Sequence, residues 1–396
     1  MRDFSTDLDG FRATRAIVDL DAISGNVRTL RSMLPATTKL MAVVKADGYG
    51  HGAPWIAAAA VEAGAASVGV ATVSEGEELR WHGIDSPIVL LGSIDPAEAL
   101  SACRAGLEIT VADDLLLDAV QRAVRTISPR TTTAVHLKID TGLRRYGILP
   151  AEAASLAVRI ANDAHLRFAG VFTHLASADE PNEPFTIEQL RQFECTVASI
   201  CDAGVTCPPL HAANSAGILT SQGTGYDIVR SGIALYGVAP SPGVPFPPSM
   251  QCALRIESRI TRIVPIQAGD SVGYNRTFRA QDSMRGALIP IGYADGYRRS
   301  LSGRGWVGID GCRARVLGRV SMDQMVVEIP TGARAQAGDY VSILGGEPES
   351  GAPSVENIAK LAATNSYEIL VGIRRRVPRI FLRDGIVVGV RSAGRD

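Results

Sequence analysis

The sequence carries no excess charge of one sign: 40 lysines and arginines stand against 41 aspartates and glutamates, a formal net charge of −1. That balance removes the basic field of a nucleic-acid binder and the basic amphipathic segment of a membrane-surface protein. No apolar run approaches the roughly 18 residues needed to cross a bilayer, and the opening MRDFSTDLDG is acidic with no apolar core segment. Six cysteines, at Cys103, Cys195, Cys201, Cys207, Cys252 and Cys312, include no C-x-x-C pair and no nearby histidine pattern. Zinc and a secreted disulfide scaffold are therefore not expected. No GxxxxGK[ST] or GxGxxG string occurs in a suitable context, so nucleotide-binding folds lack their own motif. These absences lead to a cytoplasmic protein with reduced thiols, no metal, and a small ligand.

With 396 residues, 46% of them hydrophobic and 20% charged, the chain is long enough for two cores. From Ala13 to about Pro240, short apolar runs alternate with amphipathic stretches. KLMAVVKA, ASVGVAT, PIVLLG, LEITVA, AVHLKID, FAGVFTHLA, PPLHAANS and YDIVRSGIALYG are eight strand candidates. Helices fit the intervals 54–64, 74–83, 96–106, 113–127, 150–163 and 184–204, several opening on proline and closing on glycine. Runs of Val, Ile and Leu without alternation suit strands buried on both faces, as in a parallel (β/α)8 barrel; a doubly wound open sheet would give the same local pattern.

A barrel would gather its chemistry at the carboxyl ends of its strands. Lys45 ends the first candidate strand, Lys138, Asp140 and Arg145 the fifth, His174 the sixth, and Asn214 and Ser215 the seventh, with Arg230 at the eighth. Loops after strands seven and eight, where Ser215 and Arg230–Ile233 stand, are frequent phosphate sites in such barrels. Beyond Ala239, PSPGVPFPPS holds five prolines in ten residues and marks a boundary. The rest reads as β-rich with one helix near Val355–Ala363. The expected division is a barrel over 13–240 and a β-rich domain over 250–392, with residues 1–12 as candidates to pair into the second.

The stretch AVVKADGYGHG, residues 42–52, carries a β-branched run straight to Lys45 and then turns on three glycines. A lysine at the end of a buried strand loses water, so its amine is more readily neutral and can form Schiff bases. VKADGYGHG resembles the cofactor-lysine motif of the alanine racemase family. HLKIDTGLRRYG, GVFTHLASADE, HAANSAG, DIVRSGIALYG, VGYNRTF, IPIGYADGY, GRVSMDQ and TNSYEILVGIRRRVPR resemble further segments of that family, in its order.

The resemblance implies a (β/α)8 barrel followed by a mainly β domain, and a pyridoxal 5'-phosphate enzyme that racemises a small amino acid, alanine first. It implies that Lys45 carries the cofactor. Tyr49, Asn214, Ser215, the Gly232 and Ile233 amides and Tyr367 would surround its phosphate. Arg230 would face the pyridine nitrogen as a donor only, weakening the electron sink, with His174 orienting it. Racemisation needs a base on each face of Cα: Lys45 on one, and by resemblance Tyr274 on the other, reaching in from the second subunit of a homodimer. Arg145 would serve the substrate carboxylate and Lys138 would be a carbamate. Tyr293 and the Ser321–Asp323 loop, with Met322 and Asp323, would line the substrate entrance. The chain departs from the family at Ser321, commonly cysteine, and at Arg144 and Asn275, both commonly glycine. A racemase for another amino acid such as serine, a decarboxylase of the same barrel type, and a single-barrel cofactor carrier are the rival readings.

Overall fold

Eight strands close into a parallel barrel in the computed structural model, which describes residues 11–128, 131–180 and 183–393. They are Lys39–Val43, Ser67–Val70, Ile88–Leu90, Glu108–Val111, Thr133–Lys138, Leu166–Phe172, Leu210–His211 and Ile228–Ser231. Each pairs parallel with its neighbours, and the first pairs with the last, Lys39 opposite Ile228 and Ala42 opposite Ser231. Closure leaves no edge, and the runs without alternation follow from it: Ser67–Val70 and Ile88–Leu90 are buried at every position.

Helices return the chain between strands where the proline and glycine signals predict them, for instance Ala53–Glu62, Asp114–Ile127, Pro150–Ala161 and Phe185–Asp202. Short turns of helix at Lys45–Tyr49 and Ser366–Val371 are additional to the sequence reading, and the last interval of the barrel, with room for only a short helical turn, holds Ser215–Leu219. Among the described residues no helix is long and apolar enough to cross a membrane.

Two compact units divide the chain. Of the described residues, one holds those within 23–48 and 53–251; the other holds 11–22, Tyr49–Gly52 and 252–393. The second unit is built on a ten-stranded, mainly antiparallel sheet. Its surprise is Arg15–Asp19, which the sequence reading places at the start of the barrel domain. That strand pairs antiparallel with Leu254–Arg259 and parallel with Arg379–Arg383. Three apolar residues between an arginine and an aspartate specify burial but no partner, so the sheet this strand joins could not be read locally. Residues 1–10, also candidates for this sheet, lie outside the described residues, while Phe11 packs on the Ile17, Ile380 and Leu382 cluster and Arg12 pairs with Asp295.

The Gly-rich string at 48–52 is explained by packing as much as by turning. Gly50 has a φ of 83° and a Cβ there would stand 2.4 Å from the Leu370 carbonyl oxygen; one at Gly52, φ 106°, would meet the Phe381 ring at 2.7 Å. Arg379 donates to the Gly50 carbonyl oxygen from both Nε and Nη2, at 3.1 and 3.0 Å.

Both positions where glycine gives way in this chain are left-handed: Arg144 has φ 55° and Asn275 φ 59°. Asparagine tolerates that region, arginine does not. Strand parity, which would turn Arg144 away from Arg145, does not apply, because both lie in the loop after the fifth strand and are exposed. Arg144→Gly removes the Cβ clash while keeping the backbone donation to Asp140. It is expected to stabilise the chain by about 1 kcal/mol, a rise in melting temperature of roughly 2–4 °C by calorimetry; an unchanged or lower value would show that the Arg144 side chain repays its strain.

Candidate active site

The mouth of the barrel begins with a left-handed turn. After Val43 the chain leaves the strand, and Ala46, Asp47 and Gly48 take φ of 53, 55 and 62° with ψ of 49, 47 and 44°. Such a conformation costs roughly 1–2 kcal/mol for each residue bearing a Cβ, so it needs external hold. Three hydrogen bonds supply it: Gly48 N–H to the Val44 carbonyl at 2.7 Å, Ala53 N–H to Asp47 Oδ1 at 3.1 Å, and Ala46 N–H to Glu75 Oε1 at 2.7 Å. Glu75 is also the third residue of a capping box, its other oxygen accepting from Ala71 and Thr72 at 2.8 and 3.2 Å. One carboxylate thus ties the turn that presents Lys45 to the next helix, Val73–Trp81. The T-x-x-E spacing at Thr72–Glu75 was the available sequence signal for it.

Lys45 is half-buried and its pKa is lowered, by burial first and by Arg145 second, while Glu75 opposes. Lys138 is buried, and burial, then Arg145 and Arg230, bring its amine down to about 8 against the pull of Asp140. His174 is driven well below its ordinary value by burial and by Arg230, Arg145, Lys138 and Lys45, and so is neutral. These mutual effects gather Lys45, Lys138, Arg145, His174 and Arg230 at one mouth, with Asp140 as the opposing carboxylate. Asp140 spends Oδ1 on the backbone of its own loop, Gly142 N–H at 2.8 Å and Arg144 N–H at 3.1 Å.

Arg230 is 3% exposed. Its Nη2 donates to the Thr173 and Ala212 carbonyls at 2.8 and 2.9 Å and lies 3.3 Å from His174 Nδ1; its Nη1 lies 3.0 Å from His211 Nδ1. Burial pulls the guanidinium to about 9, which still leaves it charged at neutral pH. His211 is the partner that sequence reasoning passed over, although HAANS contains it; an imidazole inside a strand carries no mark of which neighbour it meets.

Ser215 Oγ accepts from Gly232 N–H at 2.9 Å and Ala234 N–H at 3.3 Å, so amides at the start of the Ile233–Tyr236 turn converge on one oxygen. Asn214 caps the Ser215–Leu219 turn, accepting from Gly217 N–H at 3.0 Å. Such convergent amides favour an anion. A desolvated amine, a donor-only buried cation and an amide cradle on one barrel mouth fit pyridoxal phosphate: Lys45 for the aldehyde, the Ser215, Gly232 and Ile233 region for the phosphate, and Arg230 for the ring nitrogen.

The other candidates lie in the β unit. Tyr49 is buried, 6.0 Å from Tyr367 between ring centroids, and burial with that neighbour raises its phenol. Tyr274 is 68% exposed on a turn that follows Gly273, φ 76°. Tyr293 N–H and Ala294 N–H donate to the Ser321 and Met322 carbonyls at 3.1 and 3.0 Å, which brings Tyr293 and the Ser321–Asp323 loop together. Asp323 is held by Arg376 Nη2 at 2.7 Å, and Arg376 Nε reaches Asp295 at 2.7 Å.

Family models for the N-terminal and C-terminal domains of alanine racemase match residues 18–240 and 253–381. Among curated proteins, an alanine racemase of Symbiobacterium thermophilum is 45% identical over 375 residues, covering 95% of this chain and 98% of its own. A solved alanine racemase from D-cycloserine-producing Streptomyces lavendulae superposes with a TM-score of 0.88 at 39% identity, over 94% of this chain and 97% of that one. The enzyme of Bartonella henselae, solved with covalently bound pyridoxal phosphate, superposes with a TM-score of 0.83 at 28% identity, over 93% and 99%.

Glu75→Gln keeps an acceptor on the turn and removes its charge. Because Glu75 holds the Lys45 pKa up, its loss should lower that pKa further; the pH midpoint of Lys45 reductive alkylation then moves down, with about 1–2 kcal/mol of stability lost in urea unfolding. A midpoint that stays or rises refutes the strap.

Proposed function

The chain belongs to the alanine racemase family, and from that premise we propose that it interconverts L-alanine and D-alanine with two bases, Lys45 and Tyr274, the second supplied by another copy of the chain. The family depends on pyridoxal phosphate. That group, when bound, takes up the electron pair left at Cα as the α-proton departs.

Lys45 serves one face. Its lowered pKa leaves more neutral amine near pH 7, the form that takes a proton from Cα and returns it. The observation that carries the reaction type is Arg230. Charged and donor-only, it would hydrogen bond a ring nitrogen placed against it without protonating it, and the cofactor would then be a weak electron sink that favours proton return at Cα. Arg145, exposed at the mouth, offers a bidentate donor to the substrate carboxylate.

For the second base, the support is exposure. Tyr274, Met322 and Tyr293 are 68, 52 and 39% exposed, large apolar or aromatic side chains that a partner subunit would cover. A homodimer would then complete each site. The product would feed peptidoglycan or another D-amino-acid-containing metabolite, and six free cysteines, five of them not buried, suit the cytoplasm.

Lys138 is proposed to carry a carbamate. With its amine brought to about 8, roughly a tenth is neutral at pH 7 and able to attack carbon dioxide. A C–N bond forms, a proton leaves, and the resulting anion sits among Arg145, Arg230 and Lys45. Equilibration with ¹³C-bicarbonate should give a protein-bound carbamate resonance that Lys138→Ala abolishes; no such resonance in the parent chain disproves the modification.

The racemase reading is tested with holoenzyme in heavy water. L-alanine should lose its α-proton and become racemic, and Tyr274→Phe should retain the cofactor's absorption while losing about 10²–10⁴ of the rate. Exchange with serine alone would replace the substrate, carbon dioxide release would favour a decarboxylase, and an undiminished Tyr274→Phe would remove the second base.

A further inference from the structure

Inside the barrel, a line of polar side chains leads from Arg230 away from the mouth. His211 Nε2 lies 3.3 Å from His136 Nδ1, and His136 Nε2 lies 2.8 Å from Glu108 Oε2. The other Glu108 oxygen accepts from Arg167 Nη2 at 2.7 Å. His211 and His136 are 0 and 2% exposed, and Glu108 opens the fourth barrel strand.

The protons on this line are fixed by its ends. A guanidinium only donates, so His211 accepts from Arg230 at Nδ1. Burial first, and Arg230 second, keep His211 neutral, which leaves its one proton on Nε2, directed at His136 Nδ1. A protonated His136 would also donate there and leave His211 with no proton at all. His136 is therefore neutral, accepts at Nδ1, and donates from Nε2 to Glu108. Burial opposes the Glu108 charge, but His136 and Arg167 outweigh it and hold the carboxyl below its usual range, so Glu108 is an acceptor only. Donor and acceptor ends agree on one tautomer at every link.

The backbone makes room for this line. A Cβ at Gly170 would stand 2.5 Å from His136 Nδ1 and 3.2 Å from His211 Nε2. The pairing of the fifth and sixth strands skips a residue, with Val135 opposite Phe168 but His136 opposite Gly170. That bulge puts the glycine, and not Ala169, against the imidazoles.

We propose that Glu108 is a positioning residue for the reaction: it fixes His136 and His211 as Nε2–H tautomers, so that His211 presents only a lone pair to Arg230 and holds it in its donor-only pose. The consequence for turnover rests on the racemase reading; the tautomers do not. The test uses the full chain with pyridoxal phosphate, its histidines ¹⁵N-labelled and assigned through His136→Gln and His211→Gln. Both rings should carry protons on Nε2 and none on Nδ1, and an Nδ1 proton on either in the parent chain overturns the relay. Glu108→Leu should shift the ring nitrogens of both histidines, while Glu108→Gln, whose amide oxygen still accepts from Nε2–H, restores them. An unmoved His211 in Glu108→Leu overturns the proposal. With alanine, Glu108→Leu should raise pyruvate released per racemisation event roughly 2- to 30-fold, the range for a coupled polar network; an unchanged ratio beside shifted nitrogens overturns the link to the reaction. A parent chain that racemises nothing would defeat the racemase reading, and the nitrogen signals would still decide the relay.

Discussion

A guanidinium taken out of water is the constraint on which the barrel interior is arranged. A buried cation left alone costs several kcal/mol, and Arg230 meets that cost with four acceptors from the ends of two neighbouring barrel strands: the Thr173 and Ala212 carbonyls, His174 and His211. Its flat face lies 5.1 Å from the Phe172 ring centroid, and Phe172 in turn stacks on His211 at 4.5 Å. The residue beneath Arg230 therefore also steadies one of its partners. Gly170 and the bulge beside it belong to the same arrangement, because the imidazoles occupy the space a side chain would fill.

The second constraint is electrostatic. Lys45, Lys138, Arg145 and Arg230 share a mouth whose opposing carboxylate, Asp140, is committed to the amides of its own loop. Burial first, and like charges second, depress the two lysines, and the depression is the useful property: it leaves more of each amine neutral. The positive excess suits anions brought from outside, a phosphate and a substrate carboxylate. The left-handed turn at 46–48 fits this picture, since it spends backbone free energy to direct the amine of Lys45, and Glu75 holds both ends of that expenditure.

Much of this was legible beforehand, for specific reasons. The eight unbroken apolar runs identify the barrel strands because strands buried on both faces need no polar alternation, and Lys45, Lys138, His174 and Arg230 announce the mouth by ending or following those runs. The illegible parts depend on partners distant in sequence. Arg15–Asp19 is a sound strand whose sheet is settled by residues more than two hundred positions away. Glu108 reads as the polar start of LEITVA, and His136 as one more residue in AVHLKID; only the closed barrel brings them into line. Positive φ at Ala46 and Asp47 leaves no local trace, since neither residue is a turn glycine. Glu75 was legible, through its capping-box spacing, and was missed.

The neighbours of residue 230 bear on reaction type as strongly as the arginine does. An acid in its place, as a decarboxylase of this barrel type is expected to have, would set a carboxylate against the Thr173 and Ala212 carbonyl oxygens, which have no proton to give. It would also face a His211 whose Nδ1 carries a lone pair, so the imidazole line would have to reverse every tautomer back to Glu108, itself an acceptor. Repulsive contacts would replace hydrogen bonds at a position that is almost wholly buried. The preference for a donor-only group at position 230 is thus distributed over two strand-end carbonyls, two imidazoles and a remote carboxylate, and a single substitution there leaves all of them set for a donor.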